Sequence, residues 1–127
     1  MSGAAAGFVG SIVAPGPGLV RGYAEASTDT GDKGTPADGS WALNNSERQV
    51  NFGYRAVRCV IIAAKQIVQA FYGRMPEQSY FEGCSNGGRQ ALMEAQRYPT
   101  DFSGIIAGSP GLDYTGFMMS WIRDARR

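Results

Sequence analysis

A chain of 127 residues is long enough for one small domain and no more. Its 12 Lys and Arg against 11 Asp and Glu leave a net charge of +1 with no basic stripe, so no nucleic-acid partner is expected. The longest strongly apolar stretch, residues 59–64, is far too short to cross a bilayer, and residues 1–7 lack the basic-then-apolar form of a signal peptide, so no membrane partner is expected either.

In chain order, residues 3–22 are rich in Gly, Ala and Pro and predict a loop with a short helical turn, closing on the turn-prone Pro15-Gly16-Pro17-Gly18. Tyr23-Ala24-Glu25-Ala26-Ser27 alternates and predicts the first strand, followed by the polar turn Thr28-Asp29-Thr30-Gly31 and a polar loop over residues 32–40. Ser46 and Gln49 have capping-box spacing. Val50, Tyr54, Val57, Ile61, Ala64, Val68 and Phe71 then recur at steps of four and three and share one helix face, with Gly73 as the stop. Residues 79–82 predict a second strand and residues 87–98 a second helix, ended by Pro99. Gly104-Ile105-Ile106-Ala107-Gly108 has no alternation and predicts a strand buried on both faces. Strand, helix, strand, helix, strand with right-handed crossovers gives an α/β fold with about three parallel strands and flanking helices. From Pro110 the pattern breaks down. Leu112, Tyr114, Phe117, Met118, Met119, Trp121 and Ile122 make a sticky stretch with little chain left to bury it. With open sheet edges, this predicts marginal stability and self-association.

The chemistry concentrates in Tyr80-Phe81-Glu82-Gly83-Cys84-Ser85-Asn86-Gly87-Gly88-Arg89-Gln90-Ala91-Leu92. A strand, a Gly-x-Ser-x-Gly turn and a helix start is the sequence form of a nucleophile elbow, which lifts a serine hydroxyl clear of a sheet. Gly83, Gly87 and Gly88 relieve the crowding such a bend creates. Ser85 would sit at a helix N-terminus, where free N–H groups favour negative charge, and the Asn86 N–H would face a tetrahedral oxyanion. A second donor should come from an earlier loop, and Gly7 in the Gly/Ala cluster before Phe8 is the candidate. Against this stands the absence of any histidine, so Ser85 has no evident general base in this sequence.

Other residues have plainer readings. Two cysteines are too few to define a disulfide scaffold and leave the redox compartment open. Cys59 reads as a small core residue beside the helix face, and Cys84 either as core packing or as half of a disulfide clamping the bend. Asp29 follows a strand, where a triad acid could sit, but a turn-stabilising role fits it better, and Asp113 reads as a turn or helix-entry residue. Trp41 reads as packing rather than a substrate platform. Gly16-x-Gly18 does not complete a dinucleotide fingerprint.

The elbow, together with Gly22-Tyr23-Ala24, Ser27-Thr28-Asp29-Thr30-Gly31, Gly39-Ser40-Trp41-Ala42-Leu43, Phe52-Gly53-Tyr54-Arg55-Ala56, Gln96-Arg97-Tyr98-Pro99 and Phe102-Ser103-Gly104-Ile105-Ile106-Ala107-Gly108, resembles the tannase/feruloyl esterase family over about residues 6–117. The resemblance implies that residues 1–127 are a partial α/β-hydrolase catalytic domain. It implies an extracellular or periplasmic serine carboxylic ester hydrolase, working through an acyl-enzyme on small phenolic or aromatic esters. Ser85 would match the nucleophile, and Asn86 and Gly7 the oxyanion donors. Cys84 would match a cysteine that bridges to a partner just after the catalytic histidine. In the family the Asp and His follow a lid domain that often carries calcium. This chain has neither lid nor histidine, so it reads as an internal piece, with no cofactor or metal site of its own expected. Ala4-Ala5-Ala6-Gly7 replaces the usual glycine run, and Asp32 stands where many members have His. The alternatives are a catalytically inactive truncated remnant, a binding or interaction module, or an acyltransferase on the same fold.

Overall fold

The computed structural model describes residues 2–3, 5–12 and 16–126. The chain enters through β1 (Ser2–Gly3) and a small antiparallel hairpin, β2 (Ala5–Ala6) and β3 (Val9–Gly10). Gly7 turns the hairpin at φ 56, the positive value that a tight two-residue turn asks of its first central position. A side chain there would run into the backbone of Pro36. A short helix α1 (Pro17–Val20) follows.

The strand expected over residues 23–27 does not form. Glu25 turns its carboxylate back to accept from the Gly16 and Gly18 N–H groups at 2.5 and 2.9 Å, and Tyr23 sets its ring edge-on to that of Tyr80, with centroids 6.4 Å apart, without pairing as a strand. Alternation needs a neighbouring edge to become a strand. The place at the edge of the sheet is taken by β1, which pairs in parallel with the next strand at Ser2↔Glu82 and Gly3↔Gly83. The expected turn Pro15-Gly16-Pro17-Gly18 lies partly outside the described residues, as does Val13.

After a 3-10 turn at Ser40–Ala42, a helical run begins with α2 (Ser46–Val50), passes through a π turn at Asn51–Arg55 and continues as α3 (Ala56–Tyr72). Its cap is Asn45, whose side chain accepts from the Arg48 N–H at 3.1 Å, one residue before the expected Ser46. Gln49 donates instead to the Ala42 carbonyl. Gly73 ends α3 in the left-handed region, as the sequence predicts. The predicted apolar stripe is buried only at its middle, and Val50, Tyr54, Ala64 and Val68 are half-buried. Val57 and Ile61 enter the core, while Phe71 is 78% exposed and Cys59, expected inside, lies exposed.

The central unit is β4 (Tyr80–Cys84), α4 (Asn86–Arg97) and β5 (Gly104–Gly108), with β4 and β5 parallel from Tyr80↔Gly104 to Cys84↔Gly108. The sheet order is β1-β4-β5. Both connections move the same way across the sheet, so right-handed crossovers put α3 and α4 on one face. Val57 and Ile61 of α3, Phe81 of β4, Ala91 of α4 and Phe102 form the core there. The opposite face is largely uncovered among the described residues: the Tyr23 ring lies edge-on to Tyr80 at one end, and Ile106 is 65% exposed. The expectation of a strand buried on both faces is therefore corrected, because a single helical layer covers a single face. The sticky stretch after Pro110 folds as α5 (Tyr114–Asp124), none of whose residues is buried.

Candidate active site

Ser85 lies at the bend between β4 and α4 with φ 58 and ψ −120, an uncommon conformation for a residue with a side chain. Such outliers cost on the order of 1–3 kcal/mol and persist only where the surroundings enforce them. Here they do. The Ser85 N–H donates to the Gly108 carbonyl at 3.0 Å, extending the strand pairing by one residue, and the Ser85 carbonyl accepts from the Arg89 N–H at 3.1 Å, starting the helix. A serine before a helix usually caps it with its side chain. The Ser85 hydroxyl does not, and the residue is exposed.

The glycines around it permit the approach. A Cβ on Gly83 would strike the backbone of Gly87, and one on Gly88 would strike the Gly108 carbonyl and sit 3.0 Å from Pro110 Cα. Without side chains at both positions, β4, α4 and β5 come together at backbone contact.

Asn86 is the first residue of α4, so its N–H has no acceptor within the helix. Its side chain is buried, with Oδ1 accepting from Arg89 Nε at 2.7 Å. Gly7 sits on the hairpin whose strand β2 packs beside α4, and the next N–H, that of Phe8, is held by the Pro36 carbonyl at 2.9 Å. Trp41 Nε1 donates to the Phe8 carbonyl at 3.1 Å, so Trp41 braces the Gly7 turn as a packing residue.

Asp29 Oδ1 accepts from the Gly31 N–H at 2.9 Å, the geometry of a turn-stabilising aspartate. Asp113 caps α5 by accepting from the Gly116 N–H. Cys84 and Cys59 are both free and exposed. Among the described residues no three His, Cys, Asp or Glu side chains group as a metal ion would require. No helix among them is long and apolar enough to cross a membrane.

The family is decided by the whole chain and not by the bend alone. The family model for tannase and feruloyl esterase matches residues 2–127. The chain belongs to the tannase and feruloyl esterase family. A probable feruloyl esterase of Arthroderma benhamiae is 40% identical over 111 residues, covering 83% of this chain and 21% of that protein. Two crystal structures from Aspergillus oryzae superpose on it: feruloyl esterase B, with TM-score 0.77 and 31% identity over 89% of this chain and 22% of that one, and an esterase, with TM-score 0.81 and 32% identity over 94% and 24%. The chain thus spans about a fifth of the length of the relatives it matches.

Three features of this family member escape sequence reading. Asp32 is completely buried, and neither carboxylate oxygen has a partner among the described residues. Burial raises its pKa, with Arg48 opposing and Asp29 reinforcing the shift. Glu94, on α4, is buried against the Arg58–Asp101 ion pair, and burial first, then Asp101, raises its pKa to about 7. Arg89 is buried between the elbow and the π turn. A glycine at position 53 inside an otherwise regular helical pattern was the one sequence sign of that irregularity.

Proposed function

We propose that the chain is the nucleophile-bearing part of an α/β-hydrolase catalytic domain whose parent hydrolyses carboxylic esters of phenolic or aromatic acids. Ser85 attacks the ester carbonyl, and the Asn86 and Gly7 N–H groups hold the oxyanion that forms. Collapse of the tetrahedral intermediate expels the alcohol and leaves an acyl-serine, which water then hydrolyses. The strained bend, with a serine hydroxyl turned away from its helix, carries this reading. Family membership supports the ester chemistry. An apolar groove of about 620 Å³, lined by Phe8, Met118, Trp121 and Ile122, begins one residue from Gly7 and offers an aromatic ring a surface to lie against.

With no histidine in the sequence, the base that activates Ser85 and the acid that orients it come from polypeptide outside these residues. Cys84, free and exposed beside Ser85, would bridge to a cysteine there, which would suit an extracellular or periplasmic parent.

The 127-residue chain should show no turnover of methyl ferulate but slow, stoichiometric modification of Ser85 by a fluorophosphonate at alkaline pH, absent in Ser85→Ala. Equal modification of Ser85→Ala would end the nucleophile assignment. Ordinary turnover would end the claim that the base lies elsewhere. The missing histidine also favours a second reading for this polypeptide as it stands, a non-catalytic interaction module, which a Ser85 left unmodified by the fluorophosphonate would support.

A further inference from the structure

An α-helix would give the Phe52 carbonyl to the Ala56 N–H, four residues on. In the π turn the Ala56 N–H instead reaches back to the Asn51 carbonyl. The Phe52 carbonyl is thereby released, and it accepts from Arg89 Nη2 at 2.8 Å. The Gly53 carbonyl accepts from Arg89 Nη1 at 3.0 Å. The third arm of the same guanidinium, Nε, donates to Asn86 Oδ1 at 2.7 Å. The rings of Phe52 and Tyr114 flank the guanidinium, with their centroids 4.5 and 5.3 Å from its central carbon. Among the described residues no carboxylate forms an ion pair with it. A buried arginine normally has one. Burial lowers the Arg89 pKa, but a guanidinium keeps its proton in proteins.

Resting on the reading of Ser85 as nucleophile, we propose that Arg89 is the positioning residue of the elbow. Its planar fork ties the Asn86 side chain to the carbonyls that the π turn frees. This fixes the Asn86 N–H toward the oxyanion and leaves an unpaired positive charge one helical turn behind it. The π turn then has a purpose: a regular helix would spend the Phe52 carbonyl internally and leave that arm of the fork competing for it. A purely structural brace would need neither the missing counter-ion nor the bond to Asn86. Both features favour developing negative charge beside Ser85.

The test compares the wild-type chain with Arg89→Met, Arg89→Lys, Asn86→Ala and the Asn86→Ala/Arg89→Met double variant. Fluorophosphonate modification of Ser85 is resolved into the limiting rate and the half-saturating probe concentration, and folding is checked by near-ultraviolet circular dichroism. Arg89→Met should lower the limiting rate by about 10- to 100-fold, less than the roughly 100- to 1000-fold cost of losing an oxyanion donor outright, with little change in half-saturation. Arg89→Lys, which keeps the charge without the fork, should recover part of it. The double variant should fall no further than Arg89→Met alone, because the two residues act as one unit. An unchanged limiting rate in folded Arg89→Met or Arg89→Lys, or fully additive losses, would overturn the proposal. Independently of any reaction, the Asn86 backbone amide resonance should shift in both Arg89 variants, and an unmoved resonance would overturn it as well. A shifted Asn86 amide with Ser85 modified no faster than in Ser85→Ala would leave the positioning intact and sink the nucleophile assignment instead.

Discussion

The two faces of the sheet share the same strands and have opposite fates. On the covered face Phe81 is 1% exposed and packs edge-on against Phe102 with ring centroids 5.4 Å apart, while Ile105 and Ala107 close over the core. On the bare face Tyr80, Glu82, Cys84 and Ile106 are exposed. Residues one position apart differ because strand side chains alternate, and because both helices arrive on one side. The comparison teaches that apolar character predicts burial only where a second layer exists to receive it.

The largest break in that comparison should come from Phe81→Ala, which empties the centre of the covered face. Truncating a buried phenylalanine costs about 3–5 kcal/mol, so urea titration should show a chain that no longer folds cooperatively.

Glu94 sharpens the comparison, because it is an ionisable group placed on the covered side. Its pKa is raised from 4.5 unfolded to about 7 folded. Protonation therefore favours the folded state. The stability it allows is full below pH 4.5 and is lost as the pH rises through about 7. A shift of this size corresponds to about 3–4 kcal/mol. Glu94→Gln should abolish that slope and stabilise the chain by about this amount at pH 8, read from melting temperatures across the range. A slope that survives the substitution would place the titration elsewhere.

The smallest effect should come from the bare face. Ile106→Thr should change the unfolding free energy by no more than about 0.5 kcal/mol, as expected of an exposed position. It should also reduce self-association measured by sedimentation velocity, since it removes apolar surface from an open sheet face. A loss comparable to that of Phe81→Ala would mean that the face is not bare.

The bend at Ser85 was legible because its signal is local. Glycines at 83, 87 and 88 around a serine, between an apolar run and a helix start, specify a bend through backbone sterics alone. The Gly73 stop was legible for the same reason, and α4 and β5 fell within a residue or two of their expected bounds. The strand expected over residues 23–27 failed because its alternation had no edge to join, whereas β1, two residues long, carries no pattern that a sequence could display. α5 was not foreseen as a helix, although Tyr114, Phe117, Met118, Trp121 and Ile122 recur at steps of three and four on one face, with Met119 outside it.

Sequence by itself determined the bend, the serine on it, the parallel order of the last two strands and the want of a histidine, all of which follow from residue identity and short-range geometry. Tertiary structure alone decided which strand borders β4, which part of the long helix is buried, and that the π turn hands the Phe52 carbonyl to Arg89. Those depend on what stands opposite each residue across the fold, and a linear pattern does not contain that information.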